Sequence, residues 1–67
     1  MKYKVGDLLF VEAGSFTPDT PEEHYIVKRI DYSDEEEEYY YILHNIKDNE
    51  TEYINKHWVD CWCNKIG

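Results

Sequence analysis

Three side chains near the end of the chain, His57, Cys61 and Cys63, have the chemistry to bind a metal ion. Thiolate and imidazole groups are the usual ligands of structural zinc, and cysteines two residues apart face the same side of a strand. The common zinc spacing is Cys-x₂-Cys in a turn, which a Cys-x-Cys pair in an extended strand does not reproduce. We therefore expect buried free cysteines, no bound metal and no cofactor, with a small structural zinc domain as the alternative.

The same residues could form a nucleophile and base, since Cys61 lies four residues after His57. Acyl transfer by such a pair also needs an oxyanion-binding donor and a pocket, for which the sequence offers no signal. There is no serine in a nucleophile-like turn and no glycine-rich phosphate loop. A core built from 67 residues leaves little room for a pocket. We expect a protein that is not an enzyme and keep a small enzyme as a third hypothesis.

A run of four glutamates, from Glu35 to Glu38, is the most densely charged stretch of the chain. It belongs to a composition of 15 acidic against 7 basic residues and a net charge of −8. Such a charge repels phosphate, so we expect no direct binding of nucleic acid and no binding to anionic membranes. The expected partner is the basic surface of a host protein. The alternative is that the run only keeps a hairpin turn solvated.

Aromatic residues supply the second half of the expected binding surface. The chain has seven tyrosines and two tryptophans, too many for the interior of so small a protein, and exposed Tyr and Trp are frequent interface anchors. Alternation along a strand would point Tyr40 away from the core and Trp62 away from the two cysteines. The residues predicted to bind a partner are Glu35, Glu36, Glu37, Glu38, Tyr40 and Trp62.

Alternating apolar residues between turn-forming residues predict five short strands and no long helix. The strands are expected over residues 8–13, 24–32, 39–45, 51–54 and 59–65, with Asn55 capping a single 3₁₀ turn over residues 55–58. Phe16, in the long loop 14–23, is expected to cover the core, or else to form an exposed contact. The residues expected to be buried are Leu9, Val11, Val27, Ile30, Tyr41, Leu43, Ile54, Val59 and Cys61.

Four features of the chain resemble small SH3-like barrel proteins of bacteria and their phages. They are the opening Val5-Gly6-Asp7-Leu8, the longer first loop, the two central hairpin strands and the short turn before the last strand. The resemblance implies an all-β fold, a single five-stranded SH3-like barrel over residues 1–67, and a role as an interaction module. With the charge, it leads us to expect a phage or prophage inhibitor that mimics nucleic acid and blocks a host nucleic-acid enzyme. An SH3-like adaptor is the alternative.

The N-terminal residues 1–7 have a basic start but no apolar segment of the kind that signal peptides require. The sequence also contains no apolar run near 18 residues. Together these features predict a cytoplasmic protein. The oligomeric state is left open.

Overall fold

The computed structural model describes residues 1–15 and 17–66, so Phe16, expected to cover the core, lies outside the described residues. The elements follow in the order β1 (Leu8–Val11), β2 (Glu23–Ser33), β3 (Glu38–Asn45), β4 (Glu50–Asn55), α1 (Lys56–Trp62) and β5 (Asn64–Lys65). The fold is therefore mostly β structure, as the sequence predicts.

All five strands form one antiparallel sheet in the order β4-β3-β2-β1-β5. Strands β1 to β4 each pair with the next along the chain, whereas β5 returns to pair with β1. The sheet does not close, because β4 and β5 lie at opposite edges and do not pair with each other. The five antiparallel strands are as predicted, but a closed barrel is not confirmed.

One face of the sheet, the core face, carries most of the buried side chains. Leu9, Val27 and Leu43 are almost completely shielded from solvent on this face, and Val59 of α1 packs onto them. Each such side chain contributes roughly 1.5–3 kcal/mol by leaving water. The complete set of buried apolar residues in this cluster is Tyr3, Leu9, Val11, Tyr25, Val27, Tyr41, Leu43, Val59 and Cys63.

Tyr3 connects the two ends of the chain to this cluster. Its hydroxyl donates a hydrogen bond to the carbonyl oxygen of Cys63 (2.8 Å), and its backbone N–H donates to the hydroxyl of Tyr41 (3.1 Å). The two tyrosine rings lie 6.0 Å apart between centroids. Both hydrogen bonds are buried, so the polar ends of these large side chains are satisfied inside the core.

A β-bulge in β2 changes which side chains face the core. The register shifts between Val27 and Arg29, so that Val27 lies opposite Leu43 and Ile30 lies opposite Tyr41. Without the extra residue, side chains three positions apart would point to opposite faces. The bulge therefore explains how Val27 and Ile30 both contact the core, with Ile30 partly buried, as is Ile54.

The segment predicted as a 3₁₀ turn and a strand over residues 59–65 is instead a helix followed by two strand residues. Asn55 is the N-cap of α1, and its side-chain oxygen accepts a hydrogen bond from the N–H of Trp58 at 2.8 Å. In the helix Cys61 is exposed and Cys63 is buried, so the expectation that Cys61 is in the core is wrong. No helix in the described part of the chain is long and apolar enough to cross a membrane.

Candidate functional site

The acidic turn, residues 34–38, connects β2 to β3. Ser33 lies opposite Glu38 at the end of the ladder, and the four residues between them are all acidic and exposed. The hydroxyl of Ser33 accepts a hydrogen bond from the N–H of Glu36 at 3.3 Å, which helps to fix the path of the turn. The turn thus presents a dense group of solvated carboxylates at a defined place on the fold.

The acidic turn stands at the end of a ribbon of only two strands. β1 pairs with β2 no further than Ile26, and β4 pairs with β3 no further than Tyr40. The last two pairs of the hairpin, Tyr32 with Tyr39 and Ser33 with Glu38, therefore have no neighbouring strand on either side in the described part of the chain. Both edges of this ribbon therefore lack a strand partner among the described residues.

Tyrosine pairs lie beside the acidic turn on both faces of the hairpin. Tyr32 and Tyr39 meet edge to face with ring centroids 4.9 Å apart, and the two residues are 50% and 45% exposed. On the opposite face Tyr40 stacks on Tyr53 at 4.6 Å, and Tyr53 is 55% exposed. Aromatic pairs of this kind are rigid and combine an apolar body with a polar tip, which suits a binding surface.

Tyr40 is also tied to the acidic turn through its hydroxyl, which donates a hydrogen bond to the carboxylate of Glu36. That hydrogen bond, followed by desolvation and the charges of Glu36 and Glu38, raises the pKa of Tyr40 to about 12. The hydroxyl therefore stays protonated at neutral pH and keeps its donor role. Tyr40 is half-buried and points away from the core, as alternation predicts, and its hydroxyl joins it to Glu36. Its role as a binding anchor stays a prediction.

Glu37 has an unusual backbone conformation for its residue type. Its φ is 54°, in the left-handed region. The hairpin between β3 and β4 also has a four-residue loop, and its fourth residue, Asn49, has a φ of 56°. Asparagine tolerates this conformation, whereas a glutamate pays a steric cost there. Glutamate at position 37 is thus a less favourable residue for this turn conformation than asparagine would be.

A cleft of about 250 Å³ separates the acidic turn from α1. It is smaller than the roughly 300–1,000 Å³ of most sites for drug-sized ligands. Its size suits a single side chain better than a cofactor. Three lining residues come from the hairpin and three from the helix, namely Glu37, Glu38, Tyr39, Lys56, His57 and Asp60.

The charges in the cleft are unbalanced. Lys56 forms an ion pair with Asp60, with 2.5 Å between Nζ and Oδ2, and the hydrogen bond and charge of Asp60 raise the pKa of Lys56. The second oxygen of Asp60 is shielded from solvent and has no hydrogen-bond partner among the described residues. With Glu37 and Glu38 the cleft has three carboxylates for one ammonium group, so it favours a cationic guest.

The three candidate zinc ligands do not converge on one point. His57 and Cys61 lie one helical turn apart at the surface, with 3.8 Å between Nε2 and Sγ. Cys63 is buried instead, and desolvation followed by the charges of Asp60 and Glu52 raises its pKa to about 11. Over residues 1–15 and 17–66 there is no group of three His, Cys, Asp or Glu side chains that could hold a metal ion.

Trp62, the other predicted anchor, is the last residue of α1 and is 39% exposed. The alternation from which its exposure was predicted does not exist, because this segment is helical. Trp62 is also not among the residues that line the cleft. Sequence reasoning missed the part of the site formed by Lys56, His57 and Asp60. The available signal was the spacing of four between Lys56 and Asp60, typical of an ion pair on one helix face.

No protein-family model matches this chain, and neither the curated proteins nor the solved structures contain a match. The function must therefore be inferred from the surface of the protein itself.

Proposed function

We propose that this protein is a non-enzymatic binding module whose acidic turn holds the basic surface of a partner protein. The observation that carries the proposal is the position of the acidic turn at the end of a two-stranded ribbon with a tyrosine pair on each face. Tyr32, Tyr39 and Tyr53 of these pairs are exposed. A turn that served only solubility would need the charges but not the tyrosines. Interfaces typically combine such aromatic anchors with a charged rim.

The charge of the protein fits a basic partner. A net charge of −8 on 67 residues creates a long-range field that attracts cationic surfaces and repels phosphate. Because the turn concentrates five carboxylates in consecutive residues, the field is strongest where the tyrosines are available for contact. Steering of this type raises the association rate more than it slows dissociation.

The cleft gives the partner a place for one basic side chain. A lysine or arginine from the partner would meet Glu37 and Glu38, with the ring of Tyr39 as one wall. An arginine suits this geometry because its planar group can stack on an aromatic ring while donating to carboxylates. This contact would add specificity to the steering by the acidic turn.

Within this class we propose a cytoplasmic inhibitor, encoded by a phage or prophage, that occupies the phosphate-binding groove of a host nucleic-acid enzyme. A protein that carries closely spaced carboxylates can mimic the phosphates for which such a groove is built. The long first loop, the central hairpin and the helical turn before the last strand support an SH3-like fold for this module. An SH3-like adaptor that binds a different basic protein remains the second candidate.

The test compares two charge variants that have the same net charge. The first changes Glu35, Glu36, Glu37 and Glu38 to Gln. The control neutralises four exposed acidic residues elsewhere, as Glu12→Gln, Asp19→Asn, Glu22→Gln and Asp48→Asn. Each protein is used to capture a partner from host lysate, and association and dissociation rates are then measured with the purified partner at two salt concentrations.

We expect the variant of the acidic turn to associate more slowly, with a flatter dependence on salt, while the control keeps most of the association rate. Tyr53→Ala and Trp62→Ala should instead speed dissociation, since loss of apolar contact acts mainly on the off-rate. Equal association rates for the two charge variants would contradict a specific role for the acidic turn. All variants are first checked for an unchanged circular dichroism spectrum.

A further inference from the structure

The edge of β4 is long, regular and open. β4 has six residues and keeps a continuous register with β3 along its whole length, and within residues 1–15 and 17–66 it pairs with no other strand. The opposite edge, β5, has only two residues. An uncovered edge of this length presents unpaired backbone donors and acceptors that can pair with another extended chain. Neither Pro nor Lys, which natural edges often use as protection, occurs in β4.

The alternation of hydrogen bonds identifies which groups of β4 are free. Ile46 donates its N–H to the carbonyl of His24 at 3.0 Å, so the even-numbered residues at this end of β3 point their backbone groups towards β2. The odd-numbered residues then bond to β4, through residues 50, 52 and 54. The backbone groups of Thr51 and Tyr53 therefore point outward, and both residues are exposed.

A second copy of this chain is a poor occupant of the edge. In antiparallel pairing centred on residue 51, Glu50 of one copy would lie opposite Glu52 of the other, and in pairing centred on residue 52 the two Glu52 side chains would meet. Like charges directly opposite each other destabilise a strand pair. Pairing centred on residue 53 puts Glu52 opposite Ile54, so in that register only the long-range repulsion between the two copies opposes association. The net charge of −8 on each copy adds long-range repulsion.

The side chains of β4 indicate what does fit. Glu50 and Glu52 point to one face, and Thr51 and Tyr53 point to the other, where Tyr53 is supported by its stack on Tyr40. A complementary strand has basic side chains at every second position and β-branched or apolar side chains between them. We propose that the β4 edge binds an extended, lysine- or arginine-alternating segment of a partner protein as a sixth strand of the sheet.

This inference goes beyond the proposed function, because it uses the backbone hydrogen bonds of the β4 edge instead of steering by the acidic turn, although Tyr53 belongs to both surfaces. The probe is the acetylated and amidated peptide Lys-Thr-Lys-Val-Lys-Thr-Lys. We expect it to slow the solvent exchange of the Thr51 and Tyr53 amides, measured by NMR, by about tenfold at a peptide concentration ten times Kd. The amide of Glu52, already bonded within the sheet, should change far less.

The matched control is the same peptide with N-methyl groups on alternate amides, which keeps every charge but removes the donors of the new ladder. We expect it to lose the protection of Thr51 and Tyr53, while the variant with four Gln residues in the acidic turn keeps that protection with the unmodified peptide. Equal binding of both peptides, or binding that leaves these two amides unprotected, would overturn the edge inference and leave the acidic turn as the binding site. Absence of peptide binding at millimolar concentration would also overturn it.

Discussion

Replacing Glu37 by asparagine should stabilise the protein, although it removes a predicted binding residue. A left-handed conformation costs an ordinary residue about 1–2 kcal/mol, and Glu37 has a φ of 54°. Asparagine avoids much of this cost, as Asn49 does in the other four-residue hairpin loop. We expect Glu37→Asn to raise the free energy of unfolding by about 1 kcal/mol, which corresponds to a rise in Tm of about 4–8 °C at this chain length.

The control for this prediction separates backbone strain from charge. Glu35→Asn removes the same negative charge from the same turn, but Glu35 does not have a positive φ. Its effect on stability should stay within about 0.5 kcal/mol. The reciprocal change, Asn49→Gln, should lower the free energy of unfolding by about 1 kcal/mol. These values are measured by urea denaturation, and equal shifts for Glu37→Asn and Glu35→Asn would refute the role assigned to the backbone.

The same variant tests the reason for keeping a glutamate at this position. If Glu37 contacts a basic partner, the Glu37→Asn variant should be more stable but bind the partner more weakly. This is the common trade-off between stability and function at binding sites. If Glu37→Asn is more stable and binds the partner at the unchanged rate, Glu37 is not part of the interface. The acidic turn would then have to act through its other carboxylates.

Four further predictions concern the core and the helix. A thiol reagent should rapidly label one cysteine of the native protein, and Cys61→Ser should abolish that labelling, because Cys63 is buried. Burial raises the pKa of Cys63 from 9.0 to about 11, so the thiol of the unfolded chain ionises at lower pH than that of the folded chain. The contribution of Cys63 to the free energy of unfolding should therefore be present below about pH 9 and lost towards pH 11. In Cys63→Ala the free energy of unfolding should decline less steeply over this range. Asn55→Ala should cost about 1 kcal/mol in urea denaturation through loss of the N-cap bond. Tyr41→Phe should cost about 1–3 kcal/mol in the same assay, because the buried N–H of Tyr3 loses its acceptor.

Much of the sheet could be predicted from the sequence because alternation is a strong signal where one face is buried. Leu9 and Val11 in β1 and Tyr41 and Leu43 in β3 follow it, and all four are buried as predicted. Ile30 is a different case, since it reaches the core only through the bulge after Val27. A bulge depends on pairing with the neighbouring strand, so alternation within one strand cannot reveal it.

The helix was missed because two patterns compete in the same residues. Val59, Cys61 and Cys63 alternate as in a strand, so sequence reasoning assigns the cap at Asn55 to a short 3₁₀ turn and overlooks the pair of Lys56 with Asp60. The N-cap hydrogen bond and the ion pair both favour a helix in this segment, and the helix still places the side chain of Val59 in the core. As a result the two cysteines point in different directions, and the pattern that suggested a shared metal has no counterpart in the fold.

For the candidate site, the position of the acidic turn could be predicted but its cleft could not. Charge density and the neighbouring tyrosines are visible in the sequence around Glu37 and Tyr39. The cleft forms only because α1 lies near the end of the hairpin, and that distance depends on packing between segments almost 20 residues apart. No pattern within either segment encodes it.

The two hydrogen bonds of Tyr3 have a consequence for synthesis on the ribosome. One spans 60 residues of sequence to Cys63 and the other spans 38 residues to Tyr41. The hairpin of β2 and β3 can form while the chain is still growing, but Tyr3 has no acceptor for its hydroxyl until Cys63 leaves the exit tunnel. Contacts so distant in sequence are the slow ones to form. The core therefore cannot be completed before residue 63 has emerged, and until then the apolar core face is open to chaperones and proteases.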